Sequence, residues 1–435
     1  MRAFDDLDRR ILAVAAPAFV ALVTEPLMLL ADTAIIGHLG TTELGGLAAA
    51  SVVLTTVVGL CVFLAYGSTA AVARRHGAGH EAEAYGLAVG GLWLAIGLGV
   101  VLAAGTAATS DVLSRALSSS DAVATQADRY LLISAAAVPA MLVVLAATGA
   151  LRGVLDLRTP LLVAAVANVL NVVLNLALVY GFGLGIGGAA TGTVIAQWVA
   201  AVWLGVVVVR RAMAAHASVR PHVGAIVRSG RDGVPLLVRT VTLRASLVLA
   251  TAVAADLGDV PLAAQQVATS VVTFLAFGLD AIAIAGQALT GRTLGAGDAQ
   301  GTRDLTRRMV AWGVGTGVVA AVVLAAGSPL LARLFTPDPA VQAALVPALL
   351  VVAVIQPLSG VVFVLDGVLI GAGDGTYLAW AGLAVLAVYA PFALAVGALD
   401  ASFTWLWVAY GAFIAARLVT LWLRQRGDRW MILGA

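Results

Sequence analysis

Long apolar stretches with almost no charge recur along the whole 435-residue chain, and they restrict what it can fold into. A helix needs about 20 consecutive apolar residues to cross the hydrocarbon of a bilayer. Such runs can be drawn at 11–36, 44–73, 86–108, 130–151, 159–182, 183–209, 233–255, 260–291, 309–332, 341–373, 375–399 and 401–423. The chain is therefore expected to be an all-α polytopic membrane protein with twelve transmembrane helices. The runs at 44–73 and 260–291 exceed one straight crossing, so a tilt or kink is expected in each. Composition excludes a soluble fold: 61% of residues are apolar and 11% charged, against roughly 25% charged in ordinary soluble domains. Barrel strands would alternate polar and apolar residues over about 10 positions, and these runs do not.

Net charge is +2 with no basic tail or patch, so nucleic acid is not an expected partner. Cys61 is the sole cysteine, which excludes disulfide and multi-cysteine metal frameworks. Acidic residues crowd Met1 to Arg10 and no small-residue cleavage site follows, so no cleavable signal peptide is expected. Arginines set the orientation, because they concentrate on the cytoplasmic side. With the N-terminus inside, Arg9, Arg10, Arg74, Arg75, Arg152, Arg158, Arg210, Arg211, Arg292 and Arg424 are cytoplasmic, and only Arg115, Arg129 and Arg333 fall outside. Both termini are thus expected in the cytoplasm, with the chain in the inner membrane.

Shifted by 218 residues, the chain matches itself: Pro17 lands on Pro235, Arg74 on Arg292, and Gly77-Ala78-Gly79 on Gly295-Ala296-Gly297. Pro139, Gly149, Gly153 and Asp156 land on Pro357, Gly367, Gly371 and Asp374. Two pseudo-symmetric six-helix bundles follow: an N-lobe over 1–209, a cytoplasmic linker over 210–232, and a C-lobe with a short tail over 233–435. An even number of helices per half makes the repeats parallel, the plan of secondary transporters. No phosphate-binding G-x-x-x-x-G-K-[ST] loop occurs, so an ion gradient is the expected energy source.

Four carboxylates lie within the runs: Glu25, Asp32, Asp280 and Asp366. Ionisable groups at membrane depth are rare and functional by default. Glu25 and Asp32 are seven apart, two helical turns on one face, with Pro26 between them as a candidate kink. Asp280 and Asp366 either pair with Arg239 or Arg244 or form a second ion site. Asn168, Asn171 and Asn175 make a stripe on one helix face, and Thr191, Thr193 and Gln197 follow on the next helix. Asn168 and Gln197 read as helix-to-helix contacts; Asn171 and Asn175 lie at a depth similar to that of Asp32.

The stretch EPLMLLADTAIIGHLGTTELGGLAAASVV at 25–53 resembles the first-helix signature of the multidrug and toxic compound extrusion family. More narrowly it resembles the branch typified by DNA-damage-inducible protein F, which includes plant organic-acid exporters. The likeness continues at 158–197, 278–298 and 365–374 and so covers both halves. It implies two six-helix bundles in a V and export coupled to inward flow of a cation, in this branch usually a proton. It places the coupling aspartate on Asp32 and its partners on Glu25, Tyr130, Thr148, Asn171, Asn175 and Thr193. Many relatives carry an aspartate where this chain has Asn175. Asp366 falls on an aspartate that helps bind sodium in another branch, but the matching glutamate is missing and Thr242 and Leu243 stand near its place. The expected function is proton-coupled efflux of amphipathic organic compounds by a monomer, with the bilayer and small-molecule substrates as partners and no cofactor. Sodium coupling, export of a defined metabolite such as an organic acid, and lipid flipping are the alternatives. An intramembrane enzyme is disfavoured, because no H-E-x-x-H or G-x-S-x-G motif occurs.

Overall fold

A computed structural model describes residues 6–118 and 120–434, the side chain of Glu25 excepted. Regular structure among the described residues is entirely helical. Its α-helices are α1 (Asp6–Gly37), α2 (Thr41–Leu60), α3 (Phe63–Gly77), α4 (Glu81–Leu117), α5 (Asp121–Ser134), α6 (Val138–Gly153) and α7 (Arg158–Leu176). They continue as α8 (Gly185–Ala214), α9 (Val223–Asp256), α10 (Asp259–Gly295), α11 (Ala299–Phe335), α12 (Pro339–Gly371), α13 (Gly375–Ala398) and α14 (Phe403–Arg426). With α2 and α3 joined, and α5 and α6 joined, these make twelve helical segments long and apolar enough to cross a membrane. Helix is the natural outcome, since lipid offers no partner for unpaired backbone groups.

The breaks have local causes. Pro139 cannot donate a backbone hydrogen bond, and it enters in the first turn of α6 after a single 3-10 turn at Ala135–Ala137. The run at 44–73 is interrupted at Cys61–Val62, whereas the run at 260–291 lies inside one unbroken helix, α10. Helix α1 passes through Pro26 without interruption. The helices outrun the apolar stretches, so Arg115, Arg129 and Arg333 sit within α4, α5 and α11. Between the repeats only 215–222 is outside helix.

The chain divides into two compact units. The first comprises residues 20–233. In it α6 packs directly on α3: a Cβ on Gly149 would overlap the Ala65 backbone, and one on Gly153 the Thr69 carbonyl. Glycine is required for so close an approach. The second unit comprises residues 234–434 with the chain up to Phe19. Here α12 packs on α10 in the same way, with Gly367 against Ala283 and Gly371 against Gln287. Each of these contacts is the first unit's contact moved by 218 residues, so the repeat extends from sequence to backbone packing.

In the second unit the first turns of α1 are held by Asp8, which is buried. Its carboxylate accepts from Arg308 Nε at 2.6 Å, from a second Arg308 nitrogen, and from Trp312 Nε1 at 2.8 Å. At the matching helix ends of the two repeats stand two further carboxylates. Asp156 accepts from the Thr159 backbone at 3.0 Å, from the Thr159 hydroxyl at 2.7 Å, and from Arg211. Burial pushes the Asp156 carboxyl up, but the Thr159 bonds and the Arg211 charge together hold it below the usual carboxylate range. Asp374 takes a two-point pair from Arg424, at 2.6 and 3.1 Å.

Candidate functional site

In the first unit, α1, α7 and α8 bring polar side chains together inside an otherwise apolar bundle. Asp32 on α1 is 3% exposed. Its Oδ1 accepts from Asn175 Nδ2 at 2.7 Å. The same amide nitrogen reaches Asn171 Oδ1 at 3.3 Å, and Asn171 Nδ2 donates to Thr193 Oγ1 at 3.0 Å. Asn171 and Asn175 are completely buried. Their four-residue spacing stacks them on one face of α7, so one helix supplies two links of the chain. The buried Tyr130 phenol on α5 lies beside Thr193, Ser134 and Asp32.

Helix α1 is held against α7 on either side of Asp32. Asn168 Nδ2 donates to the Thr24 carbonyl at 3.0 Å, and the Tyr180 hydroxyl donates to the Ile35 carbonyl at 2.6 Å. Space for Asn175 comes from Gly192 on α8, where a Cβ would occupy the position of Asn175 Oδ1. That amide oxygen is buried and has no hydrogen-bond partner among the described residues. Thr148 is half-buried on α6 and makes no side-chain hydrogen bond in this cluster. The Glu25 side chain lies outside the described residues. Asp32, Asn171, Asn175, Thr193 and Tyr130 therefore converge, and Thr148 stands apart.

A carboxylate in this setting has a defined chemistry. Asp32 has an amide as its hydrogen-bond partner, and the bonds behind that amide run to Asn171 and Thr193. An amide can serve both protonation states of an acid: its N–H donates to the carboxylate, and its carbonyl accepts from the carboxylic O–H. Asn175 already makes the first bond and has an unused acceptor for the second.

The second unit treats its carboxylate differently. Asp366 on α12 accepts from Arg239 Nε at 3.1 Å and from a second Arg239 nitrogen, and Arg417 Nη2 stands 3.4 Å from its Oδ2. Asp366 thus pairs with Arg239, one of the two arginines expected, while Arg244 is exposed. Asp280 is half-buried on α10 and feels the charge of Arg417.

The sequence profile of the MatE family matches residues 17–177 and 235–399, one match on each repeat. The chain belongs to the MatE family. Among MatE relatives, DNA damage-inducible protein F of Escherichia coli is 31% identical, over 97% of this chain and 94% of its own. Protein DETOXIFICATION 44, chloroplastic, of Arabidopsis thaliana is also 31% identical, over 97% of this chain and 83% of its own. A crystal structure of MATE in the bent conformation superimposes with a TM-score of 0.89 at 21% identity, covering 97% of this chain and 96% of that one. That likeness carries the fold. This MatE protein is a multi-pass membrane transporter of the multidrug and toxic compound efflux class, not an enzyme.

Reading the MatE sequence by residue type misses Gly192, Ser134 and Tyr180. Gly192 matters through the Cβ it lacks, and nothing in the run GGAATGT distinguishes it from its glycine neighbours. Tyr180 lies at the end of α7, where the helix widens into a π turn over Ala177–Gly181. Such turns often mark functional sites, but the sequence does not announce them.

Proposed function

We propose that this MatE protein is a proton-coupled antiporter that exports amphipathic organic compounds across the inner membrane, with both termini in the cytoplasm. Asp32 is the group that exchanges the proton. The observation that carries the reading is the Asp32–Asn175 bond, a buried carboxylate held by an amide whose oxygen is unused. With Asp32 ionised, Asn175 donates to it and the Asn171–Thr193 pair supports the amide. When a proton arrives, the charge is lost and the Asp32 O–H turns to the Asn175 oxygen. The group then costs far less to keep in an apolar site. Pro26 leaves the Leu22 carbonyl without its helical donor, so α1 has a weak point one turn and a half below Asp32 at which to bend.

Two further observations favour the proton over sodium, and amphipathic compounds over organic acids. Asp366 is shared between two guanidinium groups, which makes it a poor ligand for a third cation. An organic-acid exporter needs positive charge free to meet its cargo, and Arg239 and Arg417 are both bound to Asp366. No cofactor enters this cycle, and each monomer carries a complete Asp32 chain.

The test is export of a fluorescent amphipathic dye by proteoliposomes under an imposed pH gradient, and separately under a sodium gradient. The parent protein is expected to respond to the pH gradient alone. Asp32→Asn is expected to insert and fold normally but to export no more than empty vesicles. Undiminished export by Asp32→Asn would sink the assignment, and a response to sodium alone would replace the ion.

A further inference from the structure

The second unit contains a chamber of about 240 Å³ between α9, α10, α12, α13 and α14. Four buried polar atoms of residues on its walls have no hydrogen-bond partner among the described residues: Gln265 Oε1, Gln356 Oε1, Tyr389 Oη and Trp407 Nε1. The four residues are between 1% and 4% exposed. Orphaned buried polar groups are scarce in native proteins, and each asks for a reason. Four converging on one cavity have a common one, a guest that supplies their partners.

The wall carries six aromatic side chains among aliphatic residues and hydroxyls. Tyr389 meets Phe413 edge-on at 5.4 Å, Phe413 stacks with Tyr410 at 5.5 Å, and Trp407 meets Tyr410 at 5.3 Å. Flat faces of this kind take a flat guest. The volume lies below the roughly 300 Å³ at which drug-sized sites begin, so the guest has one or two rings. The charges at this end of the unit are two arginines and two aspartates, Arg239, Arg417, Asp366 and Asp280. Arg417 also lies over the Phe363 and Phe413 rings, at 5.8 Å from each centroid. It occupies one face of each of these two rings, where a cation would otherwise sit. Neither a net cation nor a net anion finds an unmatched counter-charge.

We propose that this chamber is a binding site for an uncharged, planar aromatic compound of one or two rings. The guest's N–H or O–H donors meet the Gln265 and Gln356 carbonyls, and its acceptor meets the Trp407 indole N–H. The site does not depend on the role of Asp32, because it is defined by other residues and binds without a gradient.

The test uses the full chain purified in detergent, with no gradient, and indole-3-carboxamide as the probe, followed by equilibrium dialysis. Indole-3-carboxylate and N-methylquinolinium serve as probes of similar shape with negative and positive charge. Saturable one-to-one binding of the carboxamide is expected, at least about tenfold tighter than either charged probe. A site built for hydrogen bonds rejects guests that leave its groups unpaired. Gln356→Leu and Trp407→Phe are each expected to weaken binding about tenfold. Gln356→Leu removes an orphaned atom at nearly constant volume and is not expected to lower the melting temperature, which separates a binding role from a structural one. Absence of saturable carboxamide binding would mean that the chamber holds water only and would overturn the proposal. Equal binding of the charged probes, or unchanged binding by both variants, would overturn it as well.

Discussion

Where the first repeat places Asp32, the second places Ala250; where the first places Asn171, the second places Tyr389; and Thr148 of the first becomes Asp366 of the second. Yet Gly149 and Gly153 lie over the same two backbone positions as Gly367 and Gly371 do one repeat later. The two kinds of position answer to different constraints. A glycine under a crossing helix has backbone for its neighbour, and any added atom forces the helices apart. A polar side chain inside a bundle needs only a partner, and a different partner set serves equally well. So one unit came to hold an acid beside an amide, and the other an acid between two guanidinium groups beside a set of aromatic rings.

The contrast is sharpest between the two aspartates. Asp32→Asn is expected to leave a folded protein with pH-driven export reduced to the background of empty vesicles. Asp366→Asn should do the reverse in kind: it removes the carboxylate that pairs with Arg239 and Arg417 in a buried site and costs about 3–5 kcal/mol of stability. Its measure is the yield and melting temperature of the purified protein. An Asp366→Asn protein as stable as the parent would erase the distinction between an exchanging acid and a structural one.

A subtler break concerns Asn175. Asn175→Leu removes the amide that donates to Asp32 and should reduce export strongly, while Asn175→Asp preserves an acceptor and should retain part of it. Equal loss in both would mean that the amide serves shape alone. The shared scaffold can be probed in pairs. Gly149→Ala and Gly367→Ala each press a methyl group into a facing backbone and should destabilise by about 1–3 kcal/mol, alike in both units. Unequal losses in melting temperature would show that the repeats have drifted in packing as well as in chemistry.

The smallest effect is expected at the paired helix ends. Asp156→Asn should cost up to about 1 kcal/mol at neutral pH. The Asp156 carboxyl titrates below its ordinary value in the folded protein. Its contribution is therefore full above about pH 4 and fades as pH falls through the depressed value. The gap in melting temperature between parent and variant should narrow on acidification, and a widening gap would contradict the assignment. Asp374→Asn, which loses a two-point pair with Arg424, should cost at least as much.

Apolar run length made the twelve crossings legible, and the spacing of Arg, Pro and Asp made the repeat legible, because those residues rarely coincide by chance in a chain of Ala, Val and Leu. Asp32, Asn171 and Asn175 could be picked out because polar residues at membrane depth are few. What the sequence hides depends on approach between helices. Arg417 stands 51 positions from Asp366 along the chain and meets it only through the packing of α12 on α14. The helix ends were hidden for another reason: Ala, Leu and Arg favour helix in water as well as in lipid, so α4, α5 and α11 continue past the apolar stretch.

Helix α1 carries the Asp32 site in one compact unit, while its first turns, fixed through Asp8 to Arg308 and Trp312, belong to the other. Its first turns are anchored by these bonds. The bend proposed near Pro26 lies between the anchored end at Asp8 and the end that carries Asp32. The practical consequence is for handling the protein: neutralising Asp8 should loosen those first turns while leaving every group of the Asp32 chain in place.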